Sequence, residues 1–178
     1  SMEEAFVRYA GFSLASAIER GTLRQEAEHL GMNIAPQFSD ADIYNIIFID
    51  KVEPALPREK PVALLDYPAI VPTLAKHKAA AGGDDAASAW CERWELYVRG
   101  IETANCYSEE TDAGEVRRYF ERESAEKAKA AAVPHAIDAN YWRIFAQNGG
   151  FPRCSGVAIG MDRLIMALTG KREIARVR

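Results

Sequence analysis

The stretch WELYVRGIETANCYSEETD, Trp94 to Asp112, reads as two β-strands joined through Arg99-Gly100, and it constrains the chain more than any other segment. A two-residue loop fixes the register of a hairpin. Val98 then faces Ile101, Tyr97 pairs with Glu102, and Glu95 pairs with Ala104. This register makes Glu95 and Glu102 diagonal neighbours on one face, within reach of a shared ligand. Carboxylates are poor strand formers and resist burial unless something pairs with them. Two readings follow: a solvated hairpin face with incidental glutamates, or a pair held together by a cation. Oxygen-only ligands favour Mg²⁺, above all when the metal also holds phosphate. Strict alternation sends Asn105, Tyr107 and Glu109 to the opposite face. A bulge near Thr103-Ala104 would bring them round, and bulges are frequent beside active sites, but nothing in the pattern compels one.

A second pattern lies near the C-terminus. GVAIGMDRL spaces Gly156, Ala158 and Gly160 two apart, so all three fall on one face of a strand. Small residues down one face leave a surface on which a planar ring can lie against the backbone. Arg163, at the strand-to-helix junction, has a guanidinium that can stack on such a ring and reach a phosphate. A nucleotide slot and a face flattened for close helix packing are equally good readings of the spacing.

The rest of the chain supplies context. The first third reads as helical: SMEEAFVRYAG with Phe6, Tyr9 and Ala10 on one face, TLRQEAEHLG with Thr22 and Gln25 as a capping box, and a helix from Ser39 closed by Pro54 and Pro57. KPVALLDYP reads as a buried strand over Val62 to Asp66. Ala79 to Ala89 is a composition shift read as a surface loop. Asp112 with Glu115 opens a charged helix running to about Ala132 and stopped at Pro134, and a shorter helix is predicted over Asp138 to Gln147. Strands and helices mix without strict alternation, so the fold class is α+β with a mostly antiparallel sheet. An apolar share of 48% in 178 residues is enough for one core. The net charge of −4 argues against holding nucleic acid by sheer basicity but leaves small anions open. No apolar run approaches the roughly 20 residues of a membrane span, no signal peptide is visible, and the cytoplasm is the expected location. Cys91, Cys106 and Cys154 are odd in number and form no CxxC pair, which excludes a disulfide framework and a thiolate zinc site. Each is expected as a small core side chain. His29 and His77 are expected at the surface and His135 in a loop.

Together, ERWELYVRGIETANCYSEETD, SGVAIGMDRL and YPAIVPTLAK (Tyr67 to Lys76) resemble the C-terminal half of a class II aminoacyl-tRNA synthetase catalytic domain, in the lysyl-tRNA synthetase branch. The likeness runs from about Lys60 to the end, and residues 156–163 match the family's motif 3. Residues 1–58 resemble the helical region these enzymes insert before that motif, and residues 59–178 the later part of the catalytic domain. The resemblance implies an antiparallel sheet flanked by helices, incomplete in this chain. It implies an ATP-dependent reaction giving lysyl-adenylate and pyrophosphate, then lysyl transfer to an acceptor. Glu95 and Glu102 match the family's metal-binding glutamates, which hold Mg²⁺ against the ATP phosphates. Arg163 matches the catalytic motif 3 arginine on adenine and phosphate, with Gly160 beside it in the ATP site. Asn105, Tyr107, Glu109 and Ala158 match the amino-acid pocket, Glu109 as counter-ion to a substrate ammonium. Glu110 matches no role and is expected as a solvated charge.

Three departures shape the reading. Lysyl-tRNA synthetases usually carry glycine where Ala158 stands. Alanine after CSG is similar to the elongation factor P–lysine ligases, paralogues that lysylate a protein, and an extra methyl alters which lysine isomer fits. Cys106 and Glu110 replace common family residues. Motif 1, which builds the homodimer, and motif 2, whose arginine holds the α-phosphate, do not appear; RYFERE (Arg118 to Glu123) lies inside a helix and in the wrong order. The chain is therefore expected to be a fragment that makes no lysyl-adenylate and binds ATP weakly when alone. The acceptor is elongation factor P or, alternatively, tRNA. A non-catalytic paralogue that only binds an amino acid or a protein is the competing class.

Overall fold

A computed structural model describes residues 1–79, 87–130, 133, 136–147 and 149–177. Its first layer is helical: α1 (Met2–Tyr9), α2 (Leu14–Arg20), α3 (Leu23–His29) and α4 (Asp40–Ile47), the last running on through a π-helical turn (Phe48–Val52) and a 3₁₀ turn (Glu53–Ala55). Ser1 and Ser39 cap α1 and α4 in reciprocal boxes with Glu4 and Asp42, which satisfies amides that the first turn leaves orphaned. Thr22 does not cap α3. Its amide is tied back to Ala17 O behind the left-handed Gly21, and its own backbone is not extended as a cap requires. Pro54 does not stop the run after α4 but sits inside the final 3₁₀ turn, where its missing N–H costs nothing.

The sheet follows: β1 (Val62–Pro68), β2 (His77–Ala79), β3 (Ala87–Val98), β4 (Ile101–Ser108) and, after α5 (Ala113–Ala130) and α6 (Arg143–Ala146), β5 (Ser155–Ile159). The order is β1-β3-β4-β5, with β2 also on β3, and every pairing is antiparallel. Finally α7 (Met161–Thr169) packs against β4 and β3 and ends at Gly170 in the left-handed region. The α+β class with an antiparallel sheet flanked by helices is thus observed. No helix of the described residues is long and apolar enough to cross a membrane.

Some expected boundaries move. Ala87 to Ala89 belong to β3 rather than to a loop, while 80–86 lie outside the described residues, as do 131, 132, 134 and His135. Asp112 does accept the Glu115 amide, at 2.8 Å, but the Glu115 side chain turns to Arg118 instead of completing the box. The helix over Asp138 to Gln147 contracts to Arg143–Ala146, preceded by turns with i to i−3 bonds. Asp138 Oδ1 accepts from the Asn140 amide and holds the chain in a side-chain-closed turn. Cys91 and Cys106 are buried as expected, but Cys154 is exposed on the segment leading into β5.

The core lies between the helical layer and the β1–β3 side of the sheet. Phe6, Leu14, Leu23, Ile43, Ile47 and Val52 are fully buried and meet Leu64, Tyr67 and Tyr97 from the strands. Each such side chain contributes roughly 2 kcal/mol by leaving water. Phe6 stacks on Tyr44 at 5.4 Å between ring centroids, and Tyr44 on Phe48 at 6.1 Å. The Tyr44 hydroxyl is buried with no hydrogen-bond partner among the described residues, and burial holds the phenol far above its usual pKa. An orphaned buried hydroxyl costs stability while its ring supplies packing. Tyr44→Phe is therefore expected to stabilise the fold by about 1 kcal/mol in urea denaturation.

Candidate functional site

The site is set by two irregularities in the ladders. Between β3 and β4, Leu96 pairs with Ala104 but Tyr97 pairs with Glu102, so Thr103 is an extra residue. Its hydroxyl donates to Leu96 O at 3.0 Å and its carbonyl accepts from the Gly160 amide at 2.9 Å. Past this bulge Glu95 faces Asn105, not Ala104, and Arg93 faces Tyr107. Glu102, Asn105 and Tyr107 thereby share one face with Glu95. The expected pairings Val98–Ile101 and Tyr97–Glu102 across the Arg99-Gly100 turn hold, with both turn residues at positive φ. The second shift, between Leu65 and Tyr67 in β1, passes through Asp66 at φ 62°, which Lys78 holds by an ion pair at 2.8 Å. It turns Tyr67 to the side of Glu95.

Glu95 is buried, yet both of its oxygens are engaged. Oε2 accepts from the hydroxyls of Tyr67 at 2.6 Å and Tyr97 at 2.9 Å, and Oε1 accepts from Arg93 Nη2 at 2.6 Å. Both tyrosines are pushed far above the usual phenol pKa, by burial first and by the Glu95 charge second, so they remain donors. Glu102 is more open, and its Oε2 accepts from Arg163 Nη1 at 2.9 Å. The two glutamates therefore stand near each other with a separate arginine apiece. Arg163 folds back over Gly160, 3.6 Å from where a Cβ would stand. Across the strand pair, β5 sets Ala158 opposite Asn105 and Gly156 opposite Tyr107. The Glu109 carboxylate reaches over Gly156, where an added Cβ would lie 2.7 Å from Oε1. A side chain at 156 would push that carboxylate aside. Glu110, expected as a solvated charge, instead accepts from the amides of Thr111 and Asp112 and shapes the turn into α5.

Four residues of this face carry no signal in sequence spacing. Tyr67, Arg93 and Tyr97 enter through cross-strand contacts. Glu53 comes from the helical layer, and its carboxyl is raised above the ordinary range by burial, then by the charges of Glu102 and Glu95, with Arg163 opposing. Among the described residues no group of three or more His, Cys, Asp or Glu is arranged to hold a metal. The donor chemistry still fits a cation that keeps waters and takes its remaining ligands from phosphate. Glu102 Oε1 accepts no hydrogen bond among the described residues, and Glu95 Oε1 accepts only one.

Two measurements follow. Glu95→Ala leaves Arg93, Tyr67 and Tyr97 without their common acceptor and is expected to cost about 3 kcal/mol in denaturant unfolding. The second concerns pH. Burial raises the Glu109 carboxyl above its ordinary range. Between the unfolded and the raised folded value, the folded state holds a proton that the unfolded chain has lost, so stability falls as pH rises through that window. Glu109→Gln is expected to flatten this slope, which sets in above the ordinary glutamate value of about 4, read from unfolding midpoints.

Against this geometry, a family model described as tRNA synthetases class II (D, K and N) matches residues 3–178.

Proposed function

Since the chain belongs to the class II tRNA synthetases (D, K and N), we propose that its open sheet face activates lysine with ATP and passes the lysyl group to elongation factor P. The observation that carries this reading is the Glu109 carboxylate seated over Gly156 beside Asn105 and Ala158. An anion there is a counter-ion for a substrate side-chain ammonium, and it repels the carboxylate of an acidic amino acid. Farther along the same face, Arg163 and Glu102 form the nucleotide end. Arg163 has its guanidinium more than half exposed and free to move from Glu102 to an α-phosphate or an adenine ring.

In the proposed reaction the lysine carboxylate attacks the α-phosphorus. The new O–P bond forms as the bridge to the β-phosphate breaks, and pyrophosphate leaves. An acceptor amine then attacks the acyl carbon and releases AMP. Bound Mg²⁺, held through Glu102 and the open lone pair of Glu95, would supply charge neutralisation on the phosphates. The chain's own residues do the rest. Glu109 fixes the distal ammonium, and the small side chains at Gly156, Ala158 and Gly160 let the ligand approach the backbone. Arg163 offsets negative charge that builds in the transition state. The extra methyl of Ala158, set opposite Asn105, supports the protein-lysylating reading. The family description supports tRNA as the second acceptor.

Amino-acid-dependent pyrophosphate exchange in the full-length protein carrying these residues tests the reading. Lysine is expected to drive exchange, with aspartate and asparagine inert. Glu109→Gln should raise the KM for lysine at least about tenfold, and Arg163→Ala should lower kcat at least about 100-fold. Exchange driven by aspartate or asparagine would overturn the lysine assignment. Radiolabelled lysine appearing on tRNA rather than on elongation factor P would reassign the acceptor.

A further inference from the structure

Arg93 lies on β3 between the two ends of the site, two residues before Glu95 and directly opposite Tyr107. Three contacts fix its guanidinium. Nη2 donates to Glu95 Oε1 at 2.6 Å, Nε donates to Asn105 Oδ1 at 3.3 Å, and the cationic carbon sits 4.6 Å from the centroid of the Tyr67 ring. Tyr67 is itself anchored, because its hydroxyl donates to the other oxygen of Glu95. The Arg93 side chain is 18% exposed, so these contacts are largely shielded from water. A planar fork held at both its nitrogens and its face has little freedom left.

The consequence falls on Asn105. A carboxamide has one accepting and one donating end. Turned the other way, it would set its NH₂ against the Arg93 Nε–H, donor against donor. With Oδ1 committed to Arg93, Nδ2 points away from the guanidinium, and it meets no acceptor among the described residues. Ala158, opposite Asn105, has only a methyl group to offer. We infer that Arg93 is a positioning residue for the amino acid. It locks the Asn105 carboxamide so that its N–H groups face an oxygen of the bound substrate, while the same guanidinium neutralises Glu95. This rests on the amino-acid site proposed above. The ligand oxygen is that of a carboxylate, the one anionic acceptor that every amino acid carries.

A purely structural Arg93 would serve only to neutralise buried Glu95, and a lysine could do that. Arg93→Lys keeps the cation but loses the fork. A crystal structure of this variant is expected to show the Asn105 carboxamide rotated or in two orientations; an unchanged Asn105 would overturn the inference. In pyrophosphate exchange, Arg93→Lys should raise the amino-acid KM about tenfold, with kcat and the ATP KM changed less than about threefold. In an Asn105→Ala background the same substitution should add less than about twofold, because the two act through one contact. Full additivity, or an equal change in both KM values, would count against the assignment. Asn105→Asp gives a second arm that preserves the fold. It keeps an acceptor for Arg93 but has no N–H, so the amino-acid KM should rise while thermal stability holds; an unchanged KM would sink the idea. Full-length wild-type protein showing no amino-acid-dependent exchange would defeat the proposed function, while the crystal structure of the lysine variant still decides the role of Arg93.

Discussion

Side chains three apart on a strand belong on opposite faces, because the pleat repeats every two residues. The candidate site depends on breaking that rule twice. Glu102 and Asn105 are three apart and share a face because Thr103 is taken up in a bulge. Leu64 and Tyr67 are three apart and share that same face because the ladder slips at Asp66. Neither irregularity is loose. Thr103 is buried and bonded to β3 through its hydroxyl and to the β5–α7 junction through its carbonyl. Asp66 takes a left-handed conformation that a short polar side chain tolerates and is tied by Lys78. Undoing the first would move Asn105 and Tyr107 away from the glutamates; undoing the second would take a donor from Glu95.

Charge is then distributed rather than pooled. Glu95 is buried among three donors, and Glu102 sits at the rim with Arg163. A buried carboxylate with full hydrogen bonding holds its neighbours in place, because each of them loses its partner if it moves. A half-open ion pair contributes little to folding and exchanges partners readily. The face thus has a fixed end at Glu95, Arg93 and Asn105 and an adjustable end at Glu102 and Arg163, which suits one group that must be oriented and another that must be followed through a change in charge.

Much of this was legible in the residues themselves. Arg99-Gly100 marks a tight turn by local chemistry and Ser39 marks a helix start, and both hold. The register error at Glu95 arose from one inserted residue, which leaves no trace in a period-two pattern until Thr103 is seen bonded across the strands. Arg93, Tyr67, Tyr97 and Glu53 escaped notice for a related reason. Their relevance comes from segments that meet only after folding; Tyr67 and Glu95, for instance, are 28 residues apart. Over Asp138 to Gln147 a local turn closed by Asp138 outcompetes a helix whose apolar residues stay largely exposed, Tyr141 and Ile144 among them.

The strand carrying Ala158 has a different consequence. Among the described residues β5 pairs only with β4, so its other flank presents amides and carbonyls in an unbroken row. Val157 and Ile159 are each more than half exposed beside that row, and none of Ser155 to Ile159 bears a charge. Such a border lacks the lysines and prolines that usually discourage strand-to-strand adhesion between molecules. In the residues described, this flank is therefore open to pairing with a further strand, along the same strand that carries Ala158.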